Sequence, residues 1–194
     1  LETSTMSTPG IAARPQPVNV WGLPLAPLTF RQTLDAVEGL IAAREPALVV
    51  TANLHYAMLT ARHPDLARVN RSAALVVADG WPLVLASRRT RTPVPERVAG
   101  SDLVPALCER VAPRGGRVFL LGGAPGVAQE AAAVLGSRYP GLNVVGAECP
   151  PFRALSREET AALLARIRAA APDLLFVAFG QPKGERWLAE HLPG

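Results

Sequence analysis

Short apolar segments alternate with helical stretches along this chain, and each apolar segment ends in a small or polar cluster. The segments and the residues that end them are 48–50 before Thr51, 75–78 before Asp79, 118–121 before Gly122, 144–145 before Gly146 and 174–177 before Gly180. This alternation predicts an α/β fold: a Rossmann-like, mainly parallel sheet with helices on both faces. Ligands bind outside the carboxyl ends of the strands in open parallel sheets. The polar clusters therefore predict a site along that edge.

The same pattern and its capping residues predict the individual elements. Residues 1–17 are predicted to be a flexible segment, and 18–194 to form one domain. Two prolines make 90–99 a loop. Strands are predicted at 18–21, 47–52, 74–78, 117–121, 142–147 and 174–178, and helices at 29–44, 63–71, 81–89, 101–111, 126–138, 156–170 and 183–191. Within these helices Ser101 is predicted as an N-cap, and Ser156 with Glu159 as a capping box.

Composition narrows the class of partner. Hydrophobic residues make up 49% and charged residues 19% of the 194, which is a globular balance without an apolar run long enough to cross a membrane. The net charge of +4 fits an anionic partner such as a nucleotide diphosphate or a phospholipid surface. Only 5% of residues are aromatic, which argues against nucleic acid. Two cysteines and the absence of a leader-like start favour a cytoplasmic setting.

Asp79 is the candidate for acid–base chemistry. It follows an apolar strand and precedes a glycine, and a carboxylate at such a strand tip can act as a general base. It could equally be the N-cap of the helix at 81–89. Thr51 and Asn53 end the preceding strand and could hydrogen-bond a sugar hydroxyl, although satisfying backbone groups at a helix start is the favoured reading for both.

The glycine-rich turn that begins with Gly122 and Gly123 could bring backbone N–H groups close to a phosphate, with a simple tight turn as the alternative. Glu148 ends the next strand and could hold a ribose hydroxyl, which favours a nicotinamide nucleotide. Arg97 and Lys183, the only lysine, could neutralise a diphosphate. No Asp-x-Asp pair or metal-ligand cluster is present, so neither a metal nor another cofactor is expected.

Six short stretches occur in the order found in the WecG/TagA/CpsF family of bacterial glycosyltransferases, which the chain resembles. They are Thr51-Ala52-Asn53, Val77-Ala78-Asp79-Gly80, the stretch 96–103 around Arg97, the stretch 119–128 around Gly122 and Gly123, Tyr139-Pro140-Gly141-Leu142 and the stretch 179–185 that contains Gln181 and Lys183.

The resemblance implies an inverting, metal-independent enzyme at the inner face of the cell membrane. It would move a hexose or N-acetylmannosamine-type sugar from a UDP donor to a sugar on polyprenyl diphosphate, for cell-surface polysaccharide or wall polymer. By motif, Asp79 would be the general base, Thr51 and Asn53 would line the sugar pocket, Arg97 would face the diphosphate or acceptor, and Gly122 and Gly123 would cradle the nucleotide.

Two departures from the family pattern stand out. The family's Pro-Lys-Gln-Glu is here Pro-Lys-Gly-Glu at 182–185, and Gln181 could replace the missing amide. The domain is also expected to lack the family's C-terminal appendage. Two other functions stay open on sequence: an NAD-dependent oxidoreductase and a non-catalytic nucleotide-sugar binding protein. Contact of the arginines at 88, 89 and 91 with anionic membrane, and a homo-oligomeric state, are further expectations.

Overall fold

The computed structural model describes residues 16–192, so most of the predicted N-terminal segment lies outside the described residues. The strands are β1 (Val18–Val20), β2 (Leu23–Leu25), β3 (Val49–Ala52), β4 (Leu75–Ala78), β5 (Arg117–Gly122), β6 (Asn143–Glu148) and β7 (Leu174–Ala178). The helices are α1 (Phe30–Ala43), α2 (Leu54–Arg62), α3 (Pro64–Ser72), α4 (Trp81–Ser87), α5 (Gly100–Val111), α6 (Val127–Arg138), α7 (Arg157–Ala170) and α8 (Lys183–His191).

The parallel α/β architecture predicted from the sequence is confirmed. β3 pairs with β4 in parallel, and β5 lies between β6 and β7 with both pairings parallel. The described strands nevertheless form separate hydrogen-bonded groups rather than one sheet, and β1 with β2 makes an antiparallel hairpin. An apolar slot of 670 Å³ lies between β3 and β7 and is also lined by α1, α5 and α8. We call it the β3–β7 slot.

Helices cover both faces of the strands, as predicted. On β4, Leu75 and Val77 pack into the core formed with α1 and α5. The alternate residues Val76 and Ala78 pack into a second core with α2, α3, α4 and the β1–β2 hairpin. This division follows from the two-residue repeat of a strand, which sends successive side chains to opposite faces. Because both faces of β4 are covered, all four of its residues are buried.

Two elements, β2 and α2, are not predicted by the sequence pattern. Trp21 and Gly22 both have positive φ angles, so they form the tight turn that returns the chain into β2. Pro24, at the centre of β2, is unfavourable for a strand because proline has no backbone N–H to donate. A two-stranded hairpin tolerates it, because each of its strands has one unpaired edge. α2 fills the interval between the strand at 49–52 and the predicted helix at 63–71, and its start is capped by the Asn53 side chain.

The start of α5 differs from the prediction by its capping residue. Ser101 was predicted as the N-cap, but the helix begins at Gly100 with Ala99 as the N-cap and without a side-chain cap of its own. The missing cap is supplied by a different strand, as described below. The capping box of α7, in which Ser156 and Glu159 bond reciprocally, is confirmed.

Candidate active site

Asp79 lies at the carboxyl end of β4 and accepts a hydrogen bond from the first helical residue of α5. Its Oδ2 is 3.0 Å from the backbone nitrogen of Gly100. Its own backbone N–H donates to the Ala52 carbonyl at 2.7 Å, which extends the β3–β4 pairing to the strand tip. The alternative role of Asp79 as N-cap of α4 is wrong, because α4 is preceded by Gly80 and has no side-chain cap. The carboxylate therefore faces α5 and its helix dipole.

Arg97 is the cation nearest to Asp79 in the described structure. Its Nε is 3.7 Å from Oδ1 of Asp79, and its Nη2 is 3.6 Å from Oδ2 of Asp102 in the first turn of α5. The Asp79 side chain is 28% exposed and that of Arg97 39%, so both reach solvent. The loop that carries Arg97 is fixed to β4 by a hydrogen bond from the Val98 N–H to the Ala78 carbonyl. The structure thus brings the predicted base and one predicted cation together.

Thr51 and Gln181 complete this cluster. A Cβ atom added to Gly100 would lie 3.1 Å from Oγ1 of Thr51, so the β3 tip lies directly against the start of α5. Gln181, in the β7–α8 loop, donates from its amide nitrogen to the Thr51 carbonyl at 3.1 Å. The structure thus brings Thr51, Asp79, Arg97 and Gln181, which are far apart in sequence, together at one edge.

Asn53 serves the helix that follows it. Its Oδ1 accepts from the Tyr56 N–H at 2.9 Å and caps α2. This is the role that the sequence favoured for Asn53. Its amide oxygen accepts this capping bond, and its amide NH₂ offers two further donors.

A second cluster forms where β5 and β7 end. Gly122, Gly123 and Lys183 line a cavity of 650 Å³, and Phe152 and Phe179 line it too. The Lys183 ammonium lies 5.4 Å from the centre of the Phe179 ring and 5.9 Å from that of Phe152. Lys183 makes no ion pair with the described residues. Its charge is therefore available to an anion in the cavity.

The two glycines are needed for strand packing. Gly122 has a φ of +107°, and an added Cβ would lie 2.6 Å from the Ala178 carbonyl oxygen of β7. The Gly123 N–H donates to that same carbonyl at 3.1 Å, and the Cys149 thiol donates to the Gly123 carbonyl at 2.9 Å. Because the Gly123 N–H is engaged, it cannot also donate to a phosphate. The glycines leave room in the cavity, and the charge comes from Lys183.

Glu148 is occupied by a partner that the sequence did not suggest. Both of its carboxylate oxygens accept from the Arg166 guanidinium of α7, each at 2.7 Å. This bidentate pair uses one acceptor position on each carboxylate oxygen and fixes the carboxylate against α7. The feature that favoured a nicotinamide nucleotide is thereby engaged elsewhere.

Glu185, in the first turn of α8, was not singled out as a site residue. Its Oε2 is buried and has no hydrogen-bond partner within the described part of the chain. Burial raises the pKa of this carboxyl above its usual value, and a backbone hydrogen bond and the Gln181 side chain partly oppose that shift. The available sequence signal was its place two residues after Lys183, in a stretch that already contained two candidates.

The strands and these clusters define a Rossmann-like α/β protein that carries a carboxylate, a guanidinium and a cation-lined cavity at the carboxyl edge of its strands. A family model described as "Glycosyl transferase WecG/TagA/CpsF family" matches residues 18–194. The chain belongs to the WecG/TagA/CpsF family of glycosyltransferases.

Similar proteins include enzymes from Staphylococcus aureus strains NCTC 8325 and COL. Each is named N-acetylglucosaminyldiphosphoundecaprenol N-acetyl-beta-D-mannosaminyltransferase and is 28% identical to this chain over 176 residues. The match covers 90% of this chain and 67% of either relative. Family membership agrees with the resemblance drawn from the six sequence stretches.

Proposed function

We propose that this protein transfers a sugar, of the N-acetylmannosamine or hexose type, from a UDP-sugar to a sugar linked to polyprenyl diphosphate. The product would serve cell-surface polysaccharide or wall polymer synthesis. The names of the staphylococcal relatives support this acceptor and an N-acetylmannosaminyl donor. The cavity that contains Lys183, at the carboxyl ends of β5 and β7, supports an anionic nucleotide donor.

Asp79 is the proposed general base. The acceptor hydroxyl would give its proton to the Asp79 carboxylate while its oxygen forms a bond to the anomeric carbon of the donor. The Gly100 N–H and the Arg97 guanidinium hold the carboxylate in place, and 28% exposure leaves it open to a hydroxyl. This fixed, partly open carboxylate at the strand tip is the observation that carries the proposal.

The departing group would be UDP. The bond between the anomeric carbon and the β-phosphate oxygen breaks as the new bond forms on the opposite face, so a single displacement inverts the anomeric centre. The electron pair remains on the diphosphate, whose added charge is stabilised by cations. Lys183 and Arg97 are the side chains proposed for this role, and we propose that they act without a divalent ion. Thr51, Asn53 and Gln181 would orient the donor sugar.

Peripheral attachment to the inner face of the cell membrane is part of the same proposal. The acceptor would be anchored there by its polyprenyl chain. No helix within residues 16–192 is long and apolar enough to span a membrane. Attachment would therefore involve a surface of the described domain or another part of the chain.

Calorimetric titration with UDP, and with NAD as the matched control, tests the donor class. We expect UDP to bind and NAD to bind at least tenfold more weakly, a difference of about 1.4 kcal/mol. The second step mixes the protein with UDP-N-acetylmannosamine and a short-chain polyprenyl-diphosphate N-acetylglucosamine, with EDTA present. Formation of the disaccharide product supports the proposal. Tighter binding of NAD, or UDP binding without transfer to any lipid-linked acceptor, contradicts it.

A further inference from the structure

The outward face of α4 is apolar, although it faces solvent. α4 packs inward through Leu83 and Val84, which are buried. Trp81 is 57% and Leu85 51% exposed, and their spacing of four residues places them on the same outward face. Large side chains of this kind are normally turned inward on a surface helix. The exposed apolar face formed by Trp81 and Leu85, here called the α4 stripe, is therefore unusual for a surface helix.

The outward face of α2 repeats this arrangement. Leu54 is 43% and Met58 48% exposed, again four residues apart, and the exposed Arg62 follows one turn later. At the end of α4 the exposed Arg88 and Arg89 occupy the equivalent place. Each stripe thus runs from two apolar side chains at the start of a helix to arginine at its end.

Both stripes lie on the same side of the molecule and start beside the candidate active site. The inward faces of α2 and α4 belong to one core, which packs on the same face of β3 and β4. α2 begins directly after Asn53, and α4 begins two residues after Asp79. We define the α2–α4 surface as Leu54, Met58, Trp81, Leu85, Arg88 and Arg89.

We propose that the α2–α4 surface docks on a bilayer that contains anionic phospholipid. This inference rests on the proposed function, in which the acceptor is held in a membrane. Tryptophan and aliphatic side chains enter the interface between headgroups and hydrocarbon, and arginines bind the anionic headgroups. Docking in this orientation would place Asp79, two residues before α4, near the headgroups, where the sugar of a lipid-linked acceptor lies.

Charge distinguishes a lipid partner from a second copy of this chain. Neither α2 nor α4 contains an acidic residue, and Arg88 and Arg89 have no carboxylate partner within residues 16–192. Self-association through this surface would bring basic helices against basic helices. An anionic bilayer supplies the missing negative charge and an apolar phase together.

Vesicle co-sedimentation of the full chain tests the proposal without donor or acceptor. The wild type should bind vesicles of phosphatidylcholine with phosphatidylglycerol more tightly than vesicles of phosphatidylcholine alone. Arg88→Gln with Arg89→Gln should weaken binding to anionic vesicles about 25-fold, at about fivefold for each basic residue. Met58→Ser with Leu85→Ser should weaken binding about tenfold or more, because two exposed apolar anchors are lost.

Matched control variants test whether vesicle binding depends on this surface or on the overall charge and hydrophobicity of the protein. Val127→Ser with Val134→Ser alters two residues of α6 that are 49% and 54% exposed and lie outside the α2–α4 surface. Arg31→Gln with Arg168→Gln removes two exposed arginines from α1 and α7. Both control pairs should bind vesicles within about twofold of the wild type. Equal losses in the controls and in the α2–α4 variants would overturn the proposal, as would a wild type that does not bind anionic vesicles.

The oligomeric state and soluble-substrate turnover complete the test. If Met58→Ser with Leu85→Ser converts a dimer to a monomer and leaves vesicle binding unchanged, the surface joins two copies and the lipid proposal is wrong. Turnover with a short-chain, water-soluble acceptor should be unchanged in the Arg88 and Arg89 variant. Vesicle binding that depends on this surface, in a protein without transferase activity, would overturn the proposed function while the docking inference stands.

Discussion

The backbone N–H of Gly100 donates to the side chain of Asp79 at 3.0 Å, which joins the start of α5 to the end of β4. This bond replaces the side-chain cap that α5 lacks. It also directs one oxygen of Asp79 toward the helix, while the other lies 3.7 Å from Arg97. The proposed base is therefore oriented before any substrate arrives.

Replacing Asp79 with asparagine should remove the base and keep the fold. The amide oxygen can still accept from Gly100, so UDP affinity should stay within about threefold, while turnover falls about 10²–10⁴-fold. Steady-state rates and calorimetry measure the two effects. Asp102→Asn is the matched control, because Asp102 also pairs with Arg97 but is 62% exposed. Unchanged turnover in Asp79→Asn would exclude Asp79 as the base.

Lys183→Gln should weaken the binding of UDP about tenfold and leave uridine binding nearly unchanged. The lost interaction is between the ammonium and the diphosphate, which uridine lacks, and tenfold corresponds to about 1.4 kcal/mol. Calorimetry gives the affinities of the wild type and of the variant for UDP and for uridine. Glu148→Gln is the comparison variant, and its UDP affinity should change less than twofold because Glu148 is paired with Arg166. Equal losses for UDP and uridine would mean that Lys183 does not contact phosphate.

Gly122→Ala should destabilise the protein more than Gly126→Ala does. Both glycines have positive φ angles, so an alanine is strained at either position by about 1 kcal/mol. Only at Gly122 would the new Cβ lie 2.6 Å from a strand carbonyl, whereas nothing lies within 4 Å at Gly126. We expect the clash to lower the free energy of unfolding of Gly122→Ala by about 1–3 kcal/mol more, the usual cost of overpacking. Urea unfolding measures this difference. Equal losses in the two variants would mean that β5 and β7 can separate to admit a methyl group.

The buried carboxyl of Glu185 should make stability depend on pH. Burial raises its pKa above the usual 4.5, so the folded state holds this proton more tightly than the unfolded state. The stabilisation is present in full below pH 4.5 and is lost as the pH rises from there through the folded-state pKa.

Glu185→Gln cannot lose this proton and should lack that fall in stability. The measurement is the difference in Tm between wild type and variant across the pH series. Glu190→Gln, on the exposed side of the same helix, is the control and should follow the wild type. A constant difference between wild type and Glu185→Gln at every pH would contradict the assignment.

The sequence was informative where local signals decide the structure. Strands with polar ends, and the Ser156–Glu159 box of α7, depend on neighbouring residues, and both are found as predicted. The carboxyl ends of parallel strands meet at one edge of a sheet, and this general rule correctly predicted that Thr51 and Asp79 lie close together although they lie at the ends of different strands.

The remaining features depend on partners that are distant in sequence. The cap of α5 comes from Asp79, 21 residues earlier, so Ser101 was the nearest local candidate. The partner of Glu148 is Arg166 on the next helix, and a single sequence does not show which arginine will reach it. For Gly122 the sequence offered a phosphate loop or a simple tight turn, and neither alternative showed that Gly122 packs against Ala178 of β7.

The β3–β7 slot has a mechanical consequence for the site. Asp79 follows the β3–β4 pair, whereas Lys183 follows β7, and no described ladder hydrogen bond joins those two blocks of strands. Gln181, which donates to the Thr51 carbonyl, spans the seam between them. The distance between Asp79 and Lys183 is therefore fixed by side-chain packing and by the Gln181 hydrogen bond, and no strand pairing determines it.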